Sequence, residues 1–127
     1  MEVNKKREFI NLPNVVFFNL KRYKYNKDKN RSTKILADFQ YPPSINLSFL
    51  QQTPSGEEED YILFGVAVHR GQTYNSGHYY SFVNTSSDFN RPHWVKFNDS
   101  FVSLSSEETA LSFKGGKDKN YVWSKDY

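Results

Sequence analysis

The chain has 127 residues, a formal net charge of +3, 17% aromatic residues, three histidines and no cysteine. A chain of this length buries roughly two-thirds of its unfolded surface, so residues 1–127 are expected to form one compact unit without room for a second core. The lack of thiols excludes a disulfide framework and a thiolate zinc site, and no apolar run approaches the roughly 20 residues that span a bilayer.

The charged N-terminus carries no apolar leader segment, so an intracellular location, cytoplasmic or nuclear, is expected. Lys5-Lys6-Arg7 and residues 21–34 are basic, whereas Glu57-Glu58-Glu59-Asp60 is acidic. Separate patches of each sign argue against a single nucleic-acid face.

In chain order, residues 1–11 are polar, and residues 14–25 open with the apolar run Val15-Val16-Phe17-Phe18, which reads as a buried strand. Residues 26–32 are rich in Asn, Asp and Lys and form a turn. Residues 35–41 return as a short strand ended by Pro42-Pro43, which cannot donate to a ladder. Residues 45–50 lead into a short helical turn. A solvent loop occupies 53–59.

Across residues 61–69, Ile62, Phe64, Val66 and Val68 alternate with Tyr61, Leu63, Gly65, Ala67 and His69, which predicts one strand. Residues 71–77 form a loop with Gly at both ends, and residues 78–84 alternate again with His78, Tyr80 and Phe82 on one side. After a polar connection over 85–92, residues 94–97 and Phe101-Val102 form a hairpin around Asn98-Asp99. Ser105 and Glu108 form a capping box, and Gly115-Gly116 supplies a left-handed stop, so a helix is predicted over 106–114. The segment 117–127 stays open. The sum is an α+β chain, predominantly antiparallel β-sheet with one or two short helices.

Proton transfer near neutral pH favours histidine, and a working imidazole needs a partner on its second nitrogen. His78 after Gly77 and Asn98 at a turn on a nearby strand fit these two roles, although spacing alone leaves a structural role open. Three histidines without cysteine show no metal-ligand spacing, so no metal and no cofactor is expected. His93 reads as an exposed side chain. The alternating basic and aromatic residues 21–25 have a composition that suits nucleic-acid stacking, but as a strand they read more simply, with Tyr23 and Tyr25 packing and the Lys heads snorkelling.

Tyr61-x-Leu63-x-Gly65-Val66-x-x-His69-x-Gly71, five residues, then Gly77-His78-Tyr79 resembles the histidine-box signature of the ubiquitin-specific proteases, papain-like cysteine enzymes. Leu12-Pro13-Asn14-Val15, Leu20-Lys21-Arg22-Tyr23, Phe39-x-Tyr41-Pro42 and Trp94-x-Lys96-Phe97-Asn98-Asp99-x-x-Val102 are similar to neighbouring family segments. The resemblance is strongest to the herpesvirus-associated ubiquitin-specific protease, through Phe49-Leu50-Gln51-Gln52-Thr53 and Tyr61-Ile62-Leu63.

The resemblance implies His78 as general base, Asn98 as its orienting residue and Asp99 beside them. Gly77, Tyr74, Asn75, Ser76 and Tyr79 would contact the ubiquitin tail, and His69 would support the site structurally. The acidic residues 57–60 would face arginines of that tail. The partners implied are ubiquitin and ubiquitinated proteins, with no nucleic acid and no membrane.

The family's cysteine box and the paired cysteines of its fingers are absent from this chain, and Asn120-Tyr121-Val122-Trp123 is a degenerate version of its closing strand. The resemblance therefore implies a single partial domain: a palm lacking the thumb and most of the fingers, its final strand truncated, inactive alone and prone to self-association. A non-catalytic pseudoenzyme or ubiquitin-binding module is the alternative.

Overall fold

The computed structural model describes residues 3–37, 39–53, 56, 60–71, 73, 75–112 and the main chain of 120–126. Among the described residues, ten strands and two short helical segments follow in order: β1 (Phe17–Asn19), β2 (Tyr23–Asn26), β3 (Arg31–Lys34), β4 (Ser44–Asn46), a 3-10 turn (Ser48–Leu50), β5 (Asp60–Ile62), β6 (Gly65–Arg70), β7 (His78–Asn84), β8 (Trp94–Asn98), β9 (Phe101–Ser105), α1 (Glu107–Leu111) and β10 (Asn120–Asp126). Six strands form one antiparallel sheet in the order β1-β10-β6-β7-β8-β9, with two-stranded ladders β2-β3 and β4-β5 beside it. The predicted antiparallel architecture with short helices is therefore the one observed.

The first apolar run is not one buried strand. Val16 is buried, but Val15 and Phe17 face solvent, because a strand covered on one side buries only every second residue. Buried Arg22 then interrupts the extended chain between β1 and β2, and its guanidinium donates to the Ala37 carbonyl. Tyr25 is exposed rather than packed, its hydroxyl bonded to Asn30 Oδ1.

The return strand begins earlier than residues 35–41. Asn26 Oδ1 accepts from the Lys29 amide at 3.0 Å and Asn30 takes a left-handed φ of 45°, so the turn closes within four residues and β3 pairs at once, Asn26 opposite Arg31 and Tyr23 opposite Lys34.

Residues 61–69 also divide. β5 pairs with β4, whereas β6 pairs with β7, and Leu63 and Phe64 hand the chain from one ladder to the other. The Leu63 amide donates to the Pro43 carbonyl at 2.9 Å, and the Phe64 carbonyl accepts from Asn84 at 2.7 Å. Across this break the alternation changes phase: Tyr61 and Leu63 join Val66 and Val68 in the core, while Ile62 is exposed. A slip of one residue moves every following side chain to the other face.

Val66 and Val68 of β6, Phe82 of β7 and Trp94 of β8 form the sheet side of the core, closed by Tyr41, Leu47, Tyr61, Leu63 and Ala110. Burial of a side chain such as Phe82 contributes about 2–3 kcal/mol.

The helix cap lies one residue later than predicted, and the physical reason is visible in the ladder. Ser105 is still paired opposite Trp94 in β9, so Ser106 becomes the N-cap, its hydroxyl accepting from the Thr109 amide at 3.1 Å. Ser112 caps the other end, and residues 113–119, including Gly115-Gly116, lie outside the described residues. The segment left open by sequence is a strand at 120–126, held between β1 and β6.

Candidate active site

β7 and β8 place the candidate residues. His78 opens β7 and Asn98 closes β8, and the pairing of Ser81 with Phe97 and of Phe82 with Lys96 carries Asn98 to the level of Tyr80, one diagonal step from His78. Side chains two residues apart on one strand share a face, so His78, Tyr80 and Phe82 form a row facing Asn98, Lys96 and Trp94. The row is packed along its length: the His78 and Tyr80 rings stack at 6.3 Å, Tyr80 and Phe82 meet edge-on at 5.8 Å, and Lys96 Nζ lies 4.6 Å from the Tyr80 ring. It runs from the fully buried Phe82 out to His78, whose side chain is 45% exposed.

His78 Nε2 is in hydrogen-bond contact with Asn98 Oδ1, and Asp99 Oδ2 stands 3.8 Å from the same nitrogen. Two oxygens facing one ring nitrogen favour the tautomer in which Nε2 carries the proton and donates to Asn98. Nδ1 then keeps its lone pair. Asn98 pairs with Phe101, so Asp99 and Ser100 alone make the loop between β8 and β9, and Asp99 adopts a left-handed φ of 53° that Asp tolerates better than most residues. The Asp99 side chain is 76% exposed, and its charge acts on the ring through water-screened space rather than through a bond.

His69 lies on the other face. It pairs with Tyr79, whose half-exposed ring stands 4.5 Å from the His69 ring, and it is only 1% exposed. Its Nδ1 meets Lys34 Nζ at 2.7 Å, and burial first, then the Lys34 charge, pushes the imidazole below its ordinary pKa. Gly77 has a φ of +147°, and a Cβ there would fall 2.5 Å from His69 Nε2 and 2.5 Å from the Arg70 carbonyl oxygen. Only glycine fits between the buried ring and the strand that begins at His78.

The sequence-predicted residues thus separate into groups. The fold brings His78, Asn98 and Asp99 together. It stacks His69, Gly77 and Tyr79 behind them, with Asn75 and Ser76 exposed in the adjoining loop, where Ser76 bonds Thr73 through their hydroxyls. Tyr74 lies outside the described residues, as do Gln72 and Glu57, Glu58 and Glu59; Asp60 accepts a bond from Asn46 Nδ2 at 2.9 Å. His93 is exposed as expected, its Nδ1 2.9 Å from Thr85 Oγ1. Among the described residues no group of three or more His, Asp or Glu side chains is placed to hold a metal ion. Lys34 was missed by sequence reasoning, because a lysine inside a basic, turn-rich stretch gives no signal that its ammonium group turns inward.

With this geometry in place, the known proteins that the chain resembles agree on its class. The family model described as ubiquitin carboxyl-terminal hydrolase matches residues 3–123, and the chain belongs to that family. It is 36% identical over 112 residues to the probable ubiquitin carboxyl-terminal hydrolase 16 of Schizosaccharomyces pombe, covering 88% of this chain and 23% of that protein. It is 32% identical over 99 residues to the human ubiquitin carboxyl-terminal hydrolase 42, covering 78% of this chain and 7% of that protein.

Among solved structures, the SAGA Ubp8/Sgf11/Sus1/Sgf73 DUB module superposes with a TM-score of 0.74 at 28% identity, covering 94% of this chain and 24% of the matched one. The chain therefore spans less than a quarter of these proteins. The comparisons do not single out the herpesvirus-associated subfamily, because several members of the wider family are similarly related.

Proposed function

We propose that this chain supplies the proton-handling part of a cysteine deubiquitinase, which cleaves the bond after the C-terminal glycine of ubiquitin. The observation that carries the reading is the His78 ring, with Nε2 committed to Asn98 Oδ1 and Nδ1 left as an acceptor at an exposed strand end.

Nδ1 takes the proton of a cysteine thiol, and the thiolate attacks the carbonyl carbon of the glycine. The carbon–nitrogen bond breaks as Nδ1–H passes its proton to the departing lysine amine, and water then hydrolyses the thioester with His78 again as base. Asn98 keeps the ring oriented through both half-reactions, with the Asp99 carboxylate beside the same nitrogen. The thiol must come from outside these 127 residues, which contain no cysteine.

The same reading gives Gly77, Tyr79, Asn75 and Ser76, in and beside the loop that leads into His78, to contact with the ubiquitin tail. Exposed Phe101, Val102 and Leu104 along β9, at the edge of the sheet, fit a surface that the rest of the protein or a second copy covers. Sedimentation of the 127-residue chain as a strict monomer at high concentration would count against that last element.

The absence of cysteine also fits a second reading, a non-catalytic ubiquitin-binding module. A ubiquitin–fluorophore assay separates the two. The full-length protein encoded by the gene should release the fluorophore, and its His78→Ala variant should not; equal release by both removes His78 from its role. Ubiquitin binding without release by the unaltered protein would favour the module. The 127-residue chain alone should release none.

A further inference from the structure

Beyond the three residues at the reacting end, the structure assigns Lys34 as a positioning residue that sets the backbone entering His78. This inference rests on the proposed deubiquitinase reading for its effect on turnover, and on geometry alone for its effect on structure.

Lys34 closes the β2-β3 hairpin, opposite Tyr23, and belongs to neither strand of the site. Its ammonium group reaches across to the root of the 71–77 loop. Nζ donates to His69 Nδ1 at 2.7 Å, to the Gly71 carbonyl at 2.8 Å and, less closely, to the His69 carbonyl at 3.4 Å. An ammonium group has three hydrogens and no acceptor, so His69 Nδ1 must carry a lone pair and the remaining proton of the neutral ring belongs on Nε2. That nitrogen is the atom against which Gly77 packs.

The other end of the loop closes on the same point: a Cβ on Gly71 would meet the Ser76 carbonyl oxygen at 2.7 Å and Gly77 Cα at 3.0 Å. One cation therefore pins the start of the loop at Gly71 directly, and its end at Gly77 through the imidazole. The next residue is His78.

The environment is costly for a charge, which marks the contact as more than a surface tether. Burial first, then the nearby Arg22, pushes Lys34 down to about 8, and the neighbouring His69 is pushed down as well. A lysine that only covered apolar surface would turn its head to solvent. This one aims inward at a ring nitrogen and two carbonyls. The hairpin thereby becomes part of what holds the general base in register, and displacement of a reacting group by about 1 Å costs on the order of a hundredfold in rate.

The test uses Lys34→Met, which keeps the stem and loses the donors, and Lys34→Arg, which keeps charge and donors. In the 127-residue chain, Lys34→Met should shift the ring nitrogen resonances of His69 and His78 and the amide resonances of Gly71 and Gly77, leaving Phe82 and Trp94 unmoved. In the full-length protein it should lower kcat on a ubiquitin–fluorophore substrate on the order of tenfold with KM within about twofold, and Lys34→Arg should recover most of the loss.

Unchanged kcat in Lys34→Met, unmoved Gly77 and His78 resonances, or changes spread evenly through Phe82 and Trp94 would each overturn the assignment. If the unaltered full-length protein hydrolyses no ubiquitin substrate, the functional reading fails. The resonance shifts then decide Lys34 by themselves: movement confined to residues 69–78 supports it, and none overturns it.

Discussion

Two histidines of one motif, nine residues apart, have opposite surroundings in this fold. His78 stands at an open strand end with two oxygens against Nε2, whereas His69 is sealed on the far face of the sheet with an ammonium group against Nδ1. The oxygens accept from their ring, whereas burial and the ammonium disfavour a charged ring at His69. The same side chain is thus open to solvent in one place and held toward its neutral form in the other. Environment, not residue type, separates the exposed ring from the buttress.

The largest expected effects come from swapping the two deletions. His78→Ala should reduce turnover of the full-length protein by at least about a hundredfold while shifting its thermal midpoint little, since an exposed ring carries little packing energy. His69→Ala should cost about 2–4 kcal/mol in urea unfolding, from the cavity left beside Gly77 and the donor stranded on Lys34. Equal stability losses for the two variants would erase the contrast.

Gly77→Ala should follow, at about 2–3 kcal/mol, because its methyl group meets both the His69 ring and a rigid carbonyl at a backbone angle that side chains rarely adopt. Paired with His69→Ala, it should cost clearly less than the sum of the two, since removing the ring opens the space the methyl group needs.

Within the open site, Asn98→Ala should lower kcat on the order of tenfold, and Asp99→Asn only by about twofold to fivefold, as expected for a direct bond against a screened charge at 3.8 Å. A reversed order, measured by steady-state kinetics, would make the carboxylate the principal orienting group.

The smallest effect is the dependence of stability on pH. Lys34 binds its proton with a pKa of about 8 when folded and 10.5 when unfolded, so between these values the unfolded chain holds more protons and stability rises with pH. Below pH 8 that contribution is lost. His69, pushed below 6.5, adds a second decline as pH falls through 6.5 toward its lower folded value. Buried Tyr41 acts in the opposite sense above pH 10, where the unfolded phenol ionises first. Urea midpoints at pH 7.5, 8.5 and 9.5, compared with those of Lys34→Met, should show the rise in the unaltered chain and a flatter profile in the variant.

The alternation of residues 78–84 and the Asn-Asp turn after residue 97 were legible because each depends on local pattern, and β7, β8 and β9 appear where that pattern places them. The face that carries His78 and Asn98 was therefore readable from one strand and one hairpin. The change of phase at Leu63 and Phe64 was not, because unbroken alternation in sequence does not record that two different ladders claim its two halves. Nor was the cap at Ser106, since whether Ser105 can cap depends on a ladder partner in another strand. Lys34 and Arg22 were hidden for a related reason: polar residues read as solvated until something distant supplies their acceptors.

The position of β10 sets the order in which the molecule can be completed. Phe17 finds its ladder partner only at Asp126, and β6 finds its second neighbour only at 120–126. While the chain is being synthesised, β7, β8 and β9 can assemble on β6 as successive local pairings, but β1 has no place in the sheet until the last strand arrives. That pairing joins residues roughly a hundred apart, a non-local contact whose closure entropy works against early formation. A chain ended before residue 120 would keep His78, Asn98 and Asp99 on their own strands and hairpin yet leave β6 with an unpaired flank, ready to recruit another molecule in place of its own tail.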